Sequence, residues 1–191
     1  STGNFESFSS SAQLAAAVAG SPLITWNTSG PGYSPTLMSN TMGNTTKFVS
    51  LLSCGQANLS SPNGGGADEP IVLPMNCSVK PCDEGTISID TKPLYLSLAA
   101  WLPGTQAKLK VRLVQTNPLT GCAGGILYNC PAATTNYLDV DIDVSSSTSV
   151  SGWQTKVQNF VNTTPYTFNY ALIWFTHTPA QLCLTQYLDN V

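Results

Sequence analysis

The amino-acid sequence predicts an all-β sandwich of about eight to ten strands, folded as one domain over residues 1–191. Three observations lead there. From Gly85 onward, apolar and polar residues alternate with period two. The alternating runs are separated by intervals dense in Gly, Pro, Ser and Asn, in a chain holding 15 Gly and 13 Pro. A chain of 191 residues at 42% apolar supplies one substantial core, and it shows no internal repeat.

The elements follow in order. Ser9-Ser10-Ser11 followed by Ala12 to Ala19 reads as a short helix, capped by a serine and ended by Gly20. The alternative is an apolar strand offered to a neighbouring subunit, with Ala12, Leu14, Ala16 and Val18 on one face. Pro22 to Trp26 and Lys47 to Leu52 read as strands, with a loop over 27–46 between them. A second loop covers 60–70. Its Gly64-Gly65-Gly66 lacks the Lys-Ser/Thr and helix start that a phosphate cradle needs.

Thr86 to Ile89 is a short alternating strand. Leu94 to Trp101 follows, with Leu94, Leu96 and Leu98 on one face and Tyr95, Ser97, Ala99 and Trp101 on the other. Pro103-Gly104 turns the chain, and Lys108 to Leu113 returns it as a hairpin. Leu109, Val111 and Leu113 point inward there, which puts Lys108, Lys110 and Arg112 on the solvent face. Residues 116–136 are an insertion. Leu138 to Val144 alternates strictly. Its Asp139, Asp141 and Asp143 stand about 7 Å apart by strand rise, too far for one ion to bridge neighbours, and read as a solvated edge that discourages stray pairing.

Trp153 to Val161 fits two templates. Trp153, Val157, Phe160 and Val161 match a helix; Trp153, Thr155, Val157, Asn159 and Val161 match a strand. Phe168 to Thr176 and Leu182 to Asp189 are the final strands. Residues 168–175 are apolar on both faces, which implies cover on both sides, by core and loop or by core and another subunit.

Composition narrows the function. Charged residues make up 9% of the chain, far below the usual quarter. Seven Lys plus Arg and a net charge of -3 supply no basic stripe for nucleic acid. Such a wet, nearly uncharged surface suits an extracellular or cell-surface protein. The even set Cys54, Cys77, Cys82, Cys122, Cys130 and Cys183 reads as disulfides. The expected pairing is 77–82, 122–130 and 54–183. Zinc would want Cys-x2-Cys pairs or partner histidines, and His177 is the only histidine. Five sequons, at Asn27, Asn44, Asn58, Asn76 and Asn162, permit glycosylation. No apolar stretch reaches ~18 residues, so no helix inserts in a membrane. The chain reads as a processed mature protein or an excised domain.

The two ends carry a resemblance. The chain opens with Gly3-Asn4-Phe5-Glu6-Ser7, places Trp26 about twenty residues later, and closes with Tyr187-Leu188-Asp189-Asn190-Val191. With the central apolar pair of strands, this resembles the galactose-binding-like jelly-roll domains, which include many non-catalytic carbohydrate-binding modules. The resemblance implies a jelly roll with the first and last strands side by side. It implies core packing for Trp26 and a strand at Trp153 to Val161. It also implies a structural calcium held by Glu6 and Asp189, with Asn4 or Asn190 and loop carbonyls completing the shell. A sugar-binding surface would stack aromatic rings on a glycan and add polar contacts. The outward candidates are Tyr95 and Trp101, with Arg112 across the hairpin; Trp174, on a strand apolar on both faces, is a further candidate whose side is ambiguous.

Hydrolytic chemistry has little to work with, since one histidine leaves no spare triad member and Glu69, Asp83 and Glu84 sit in loops. The expectation is therefore a non-catalytic carbohydrate-binding module. The alternative is a self-assembling structural subunit of a filament or coat.

Overall fold

The computed structural model describes residues 36–39, 47–53, 71–93, 106–118, 135–145, 152–178 and 184–191. Nine strands lie among them: β1 (Thr36–Ser39), β2 (Lys47–Ser53), β3 (Ile71–Val79), β4 (Glu84–Pro93), β5 (Gln106–Val114), β6 (Leu138–Asp143), β7 (Gln154–Val161), β8 (Phe168–Thr178) and β9 (Leu184–Asp189).

They form two antiparallel sheets, ordered β1-β2-β9-β4-β7 and β3-β8-β5-β6. The pairings are nested: β2 with β9, β3 with β8, β4 with β7 and β5 with β6. This is one long hairpin, closed at the β5–β6 end and wrapped round itself. It is the jelly roll, as the resemblance implies. The ambiguous segment at 153–161 is strand, in unbroken register with β4 from Val161↔Glu84 to Gln154↔Thr91.

The core lies between the sheets. Leu109, Val111 and Leu113 point inward as alternation predicts, and with Ile173 and Phe175 they pack in one cluster with Val49, Leu51, Ile89 and Leu188. All of these are essentially withdrawn from water, and that burial is the main force holding the sheets face to face.

Two expected neighbours are different. β5 was expected to pair back onto residues 94–101, but its edges are filled by β6 and β8 along Lys108–Leu113. A strand has two edges, and along Lys108–Leu113 both edges of β5 belong to β6 and β8. Likewise both edges of β9 are taken across Gln186–Leu188, by β2 and β4. The last strand therefore lies between β2 and β4, and the expected first strand at residues 3–7 lies outside the described residues. The short strand expected at Thr86–Ile89 is longer, reaching Pro93. The expected helix at 12–19 and the segments 22–26 and 94–101 lie outside the described residues.

Candidate functional site

Alternation gives each sheet an inner and an outer face. On the outer face of β5 and β6 the opposite charges meet in register: Lys108↔Asp143, Lys110↔Asp141 and Arg112↔Asp139. Arg112 donates from Nε at 2.7 Å and from Nη2 at 2.8 Å to the two oxygens of Asp139. Its guanidinium sits 3.7 Å from the Tyr137 ring centroid and 5.5 Å from that of Trp174. Asp141 takes Lys108 at 2.9 Å and also Lys110. Burial alone pushes the Asp141 carboxyl up, but the two ammonium groups outweigh it and hold it below the ordinary 3.8. Asp143 is likewise held low, chiefly by the hydroxyl and backbone N–H of Ser145.

This arrangement corrects two expectations. Lys110 and Arg112 do not face solvent; they are 5% and 9% exposed. Cross-strand neutralisation is what lets basic groups be covered. Trp174, across from Lys110, is 1% exposed. Arg112 and Trp174 are therefore structural and not open to a sugar, while Tyr95 and Trp101 lie outside the described residues. Asp139, Asp141 and Asp143 do lie on an edge strand; Asp143 is exposed as expected, while Asp139 and Asp141 are only partly exposed and are engaged by Arg112, Lys108 and Lys110. His177 is 1% exposed and stacks on Phe175.

Of the expected calcium pair, only Asp189 is described. It lies opposite Asp90 in the β4–β9 ladder, is 4% exposed, and accepts the Asn190 N–H at 2.9 Å through Oδ1. Among the described residues no group of three or more His, Cys, Asp or Glu side chains gathers to hold a metal.

Cys77 and Cys82 are both exposed free thiols, so the expected 77–82 disulfide is absent. Cys82 is held in a left-handed turn, φ 67°, by its N–H bond to the Asn162 carbonyl, whereas Cys77 lies on the stretch of β3 that leaves its ladder. Cys54, Cys122, Cys130 and Cys183 lie outside the described residues, as do Asn27, Asn44 and Asn58. Asn76 is exposed on β3. Asn162 is not a glycan acceptor in this fold. It is fully buried, and its Nδ2 donates to the carbonyls of Lys80 at 2.9 Å and Tyr166 at 2.8 Å while Oδ1 accepts from Thr164. A glycan on that nitrogen would displace these bonds and find no room.

The open surface is the outer face of β4 and β7. Thr86, Ser88, Thr155 and Asn159 are exposed there, together with Val157 at 60% and Val161 at 47%. Cross-strand hydrogen bonds order it. The Thr86 hydroxyl donates to Asn159 Oδ1 at 2.8 Å; Asp90 accepts from the Thr155 hydroxyl and, at 2.9 Å, from Asn190 Nδ2. Trp153, at the head of β7, closes the face. Its half-buried ring meets Phe48 edge-on at 5.3 Å and Tyr187 at 6.5 Å. Burial raises the Tyr187 hydroxyl pKa. The only signal for this surface in the sequence was the strand template through Trp153, Thr155, Val157, Asn159 and Val161. It marked a common face without saying that the face is open.

No protein-family model matches the chain, and no curated protein matches it. Among solved structures, a chain titled "Family 16 Carbohydrate Binding Module-2" is similar, at 14% identity and a TM-score of 0.41, with 83% of this chain and 84% of that chain covered. The binding named in that title belongs to that protein. No helix among the described residues is long and apolar enough to cross a membrane.

Proposed function

We propose that this protein is an extracellular, non-catalytic carbohydrate-binding module whose ligand lies along the outer face of β4 and β7. The observation that carries the reading is that, among the described residues, this face is open and rich in uncharged hydrogen-bonding groups, while the outer face of β5 and β8 is largely buried. Hydroxyls of Thr86, Ser88 and Thr155 and the amide of Asn159 match the donor and acceptor pattern of sugar hydroxyls. Asn159 uses Oδ1 on Thr86, which leaves Nδ2 as a donor to ligand. Trp153 adds an aromatic edge at one end. Along β4 from Thr86 the outward side chains include the Asp90 carboxylate and then Lys92, and β7 from Thr155 to Asn159 adds no charge, so the face carries no excess of positive charge. The ligand is accordingly a neutral polysaccharide and not a uronic or sulfated one.

The assembly alternative rests on the low charge, the Ala-rich N-terminal arm and the doubly apolar strand at 168–175. Ala171 to Phe175 are buried in the single chain, so no second copy is needed to cover them.

Affinity electrophoresis against a panel of neutral polysaccharides tests the proposal. The wild-type chain should be retarded by at least one. Trp153→Ala and Asn159→Ala should each lose that retardation while keeping the wild-type circular dichroism. Retardation that survives both changes, or ordered polymers with no retardation by any glycan, would overturn it. A structural calcium at Asp189, shared with Glu6, is part of the same proposal. Chelation should lower Tm by about 5 °C; an unchanged Tm removes the ion.

A further inference from the structure

One edge of β4 is only half used. β4 pairs with β7 along Glu84–Thr91, but with β9 only along Asp90–Pro93. Asn190 takes the chain out of line with β9: its φ is 49°, its N–H bonds to Asp189 Oδ1 and its Nδ2 to Asp90 Oδ2. Along Glu84–Ser88 the edge of β4 that faces away from β7 therefore meets no strand among the described residues. In the facing sheet β3 leaves its ladder with β8 between Pro74 and Val79. A hollow of about 660 Å³ lies between these two stretches. Asp83 to Ser88 and Met75 to Val79 line it as unbroken runs. One face of a strand would line it with every second residue, so the hollow is bounded by strand edges. Leu113 and Ile173 form its floor. Met75, Ile87 and Phe160 stand in its walls and are only half-buried.

An opening bounded in this way fits an extended segment of chain. The N–H and C=O groups of Glu84–Ser88 that point away from β7 are placed to pair with an added strand. The side chains of that strand alternate, so one of its faces enters the hollow and must be apolar. We propose that the occupant is residues 12–18 of a second copy of this chain. As a strand, that segment puts Ala12, Leu14, Ala16 and Val18 on one face. Its seven residues extend over about 23 Å, enough to run the length of Glu84–Ser88. No charged residue occurs between Glu6 and Lys47, so the arm brings no charge into the hollow. The arm joins the fold at β1, the edge of its sheet remote from β7, with β2 and β9 between it and β4. A neighbour's arm reaches the slot without doubling back across those strands. Arm and slot are different patches of the molecule, so the contact is head-to-tail and builds open chains of copies. The slot lies on the other edge of β4 from β7, so this contact and glycan binding stand or fall independently.

Sedimentation velocity of the full chain over a range of concentrations tests the proposal. The wild-type chain should form oligomers that lengthen beyond the dimer as concentration rises. Leu14→Asp puts a charge on the arm and Ile87→Asp puts one in the slot. Each should weaken association at least about tenfold in a chain that keeps its circular dichroism. Mixed one to one, the two variants should form a heterodimer and nothing larger, because one intact arm then meets one intact slot. Met75→Asp, on the unpaired stretch of β3, is the slot variant to use if Ile87→Asp does not fold. A wild-type chain that stays monomeric, as it would with its own arm in the slot, overturns the proposal. So do oligomers that survive Leu14→Asp, or a mixture of folded variants that forms no heterodimer.

Discussion

β5 and β7 carry similar writing and meet opposite fates. Lys108-Leu109-Lys110-Val111-Arg112-Leu113 alternates polar and apolar groups, and Thr155-Lys156-Val157-Gln158-Asn159-Phe160-Val161 mixes polar and apolar groups on a strand whose exposure alternates residue by residue. In β5 the leucines and valine enter the core as expected, but Lys110 and Arg112 on the other face are buried too. In β7 the valines at 157 and 161 stand in solvent, while Gln154, Lys156, Gln158 and Phe160 take the half-buried face. The difference is position in the sheet. β5 is flanked by β8 and β6, and β6 delivers a carboxylate opposite each basic residue. β7 is the edge of its sheet, with β4 its one neighbour among the described residues. There Lys156 turned to the inner side also discourages edge-to-edge pairing. The charged face is therefore a structural seam, and the apolar-looking face is the accessible one.

Substitutions on the two faces should separate the roles. Trp174→Ala should be the most damaging, at about 3–5 kcal/mol in urea unfolding, because it empties a fully buried aromatic site. A loss under about 1 kcal/mol would mean that the outer face of β8 is not packed. Asp139→Ala strands the Arg112 guanidinium and should cost about 2–3 kcal/mol, at or below the low end for a broken buried pair because Asp139 is partly exposed. Asp139→Asn should recover part of that loss through one hydrogen bond.

Acid should act on the same seam. Asp141 and Asp143 have folded pKa values below the ordinary 3.8, so their contribution is complete above that pH and lost as pH falls through the folded values. Tm should decline below about pH 4, and Asp141→Asn should flatten that decline. A decline unchanged by Asp141→Asn would place the acid sensitivity elsewhere. The smallest effect belongs to β7. Val157→Thr should change stability by less than about 0.5 kcal/mol, because the side chain is 60% exposed. The informative readout there is glycan retardation, which should weaken if the ligand crosses the middle of the face.

Much of the architecture was legible. Strands at Lys47–Leu52, Leu138–Val144, Phe168–Thr176 and Leu182–Asp189 follow from alternation and composition, and each is present within a few residues. The inward set Leu109, Val111 and Leu113 follows from period two. The site was legible only in part. Arg112 and Trp174 have the right chemistry for a sugar, but their availability depended on what lies opposite them. Asn162 has the sequon, yet its amide is spent on Lys80, Tyr166 and Thr164, contacts that a tripeptide motif does not encode.

What the chain determines unaided is local: where the backbone extends, where it turns, and which side chains share a face. Those follow from sterics and from a pleat that repeats every two residues. Which edge meets which, and whether a face ends against protein or water, was decided only by the tertiary fold. The nested pairing set Asp139 beside Arg112 and left Val157 outside. Pairing between distant segments depends on the joint burial of all the strands, and no single strand holds that information.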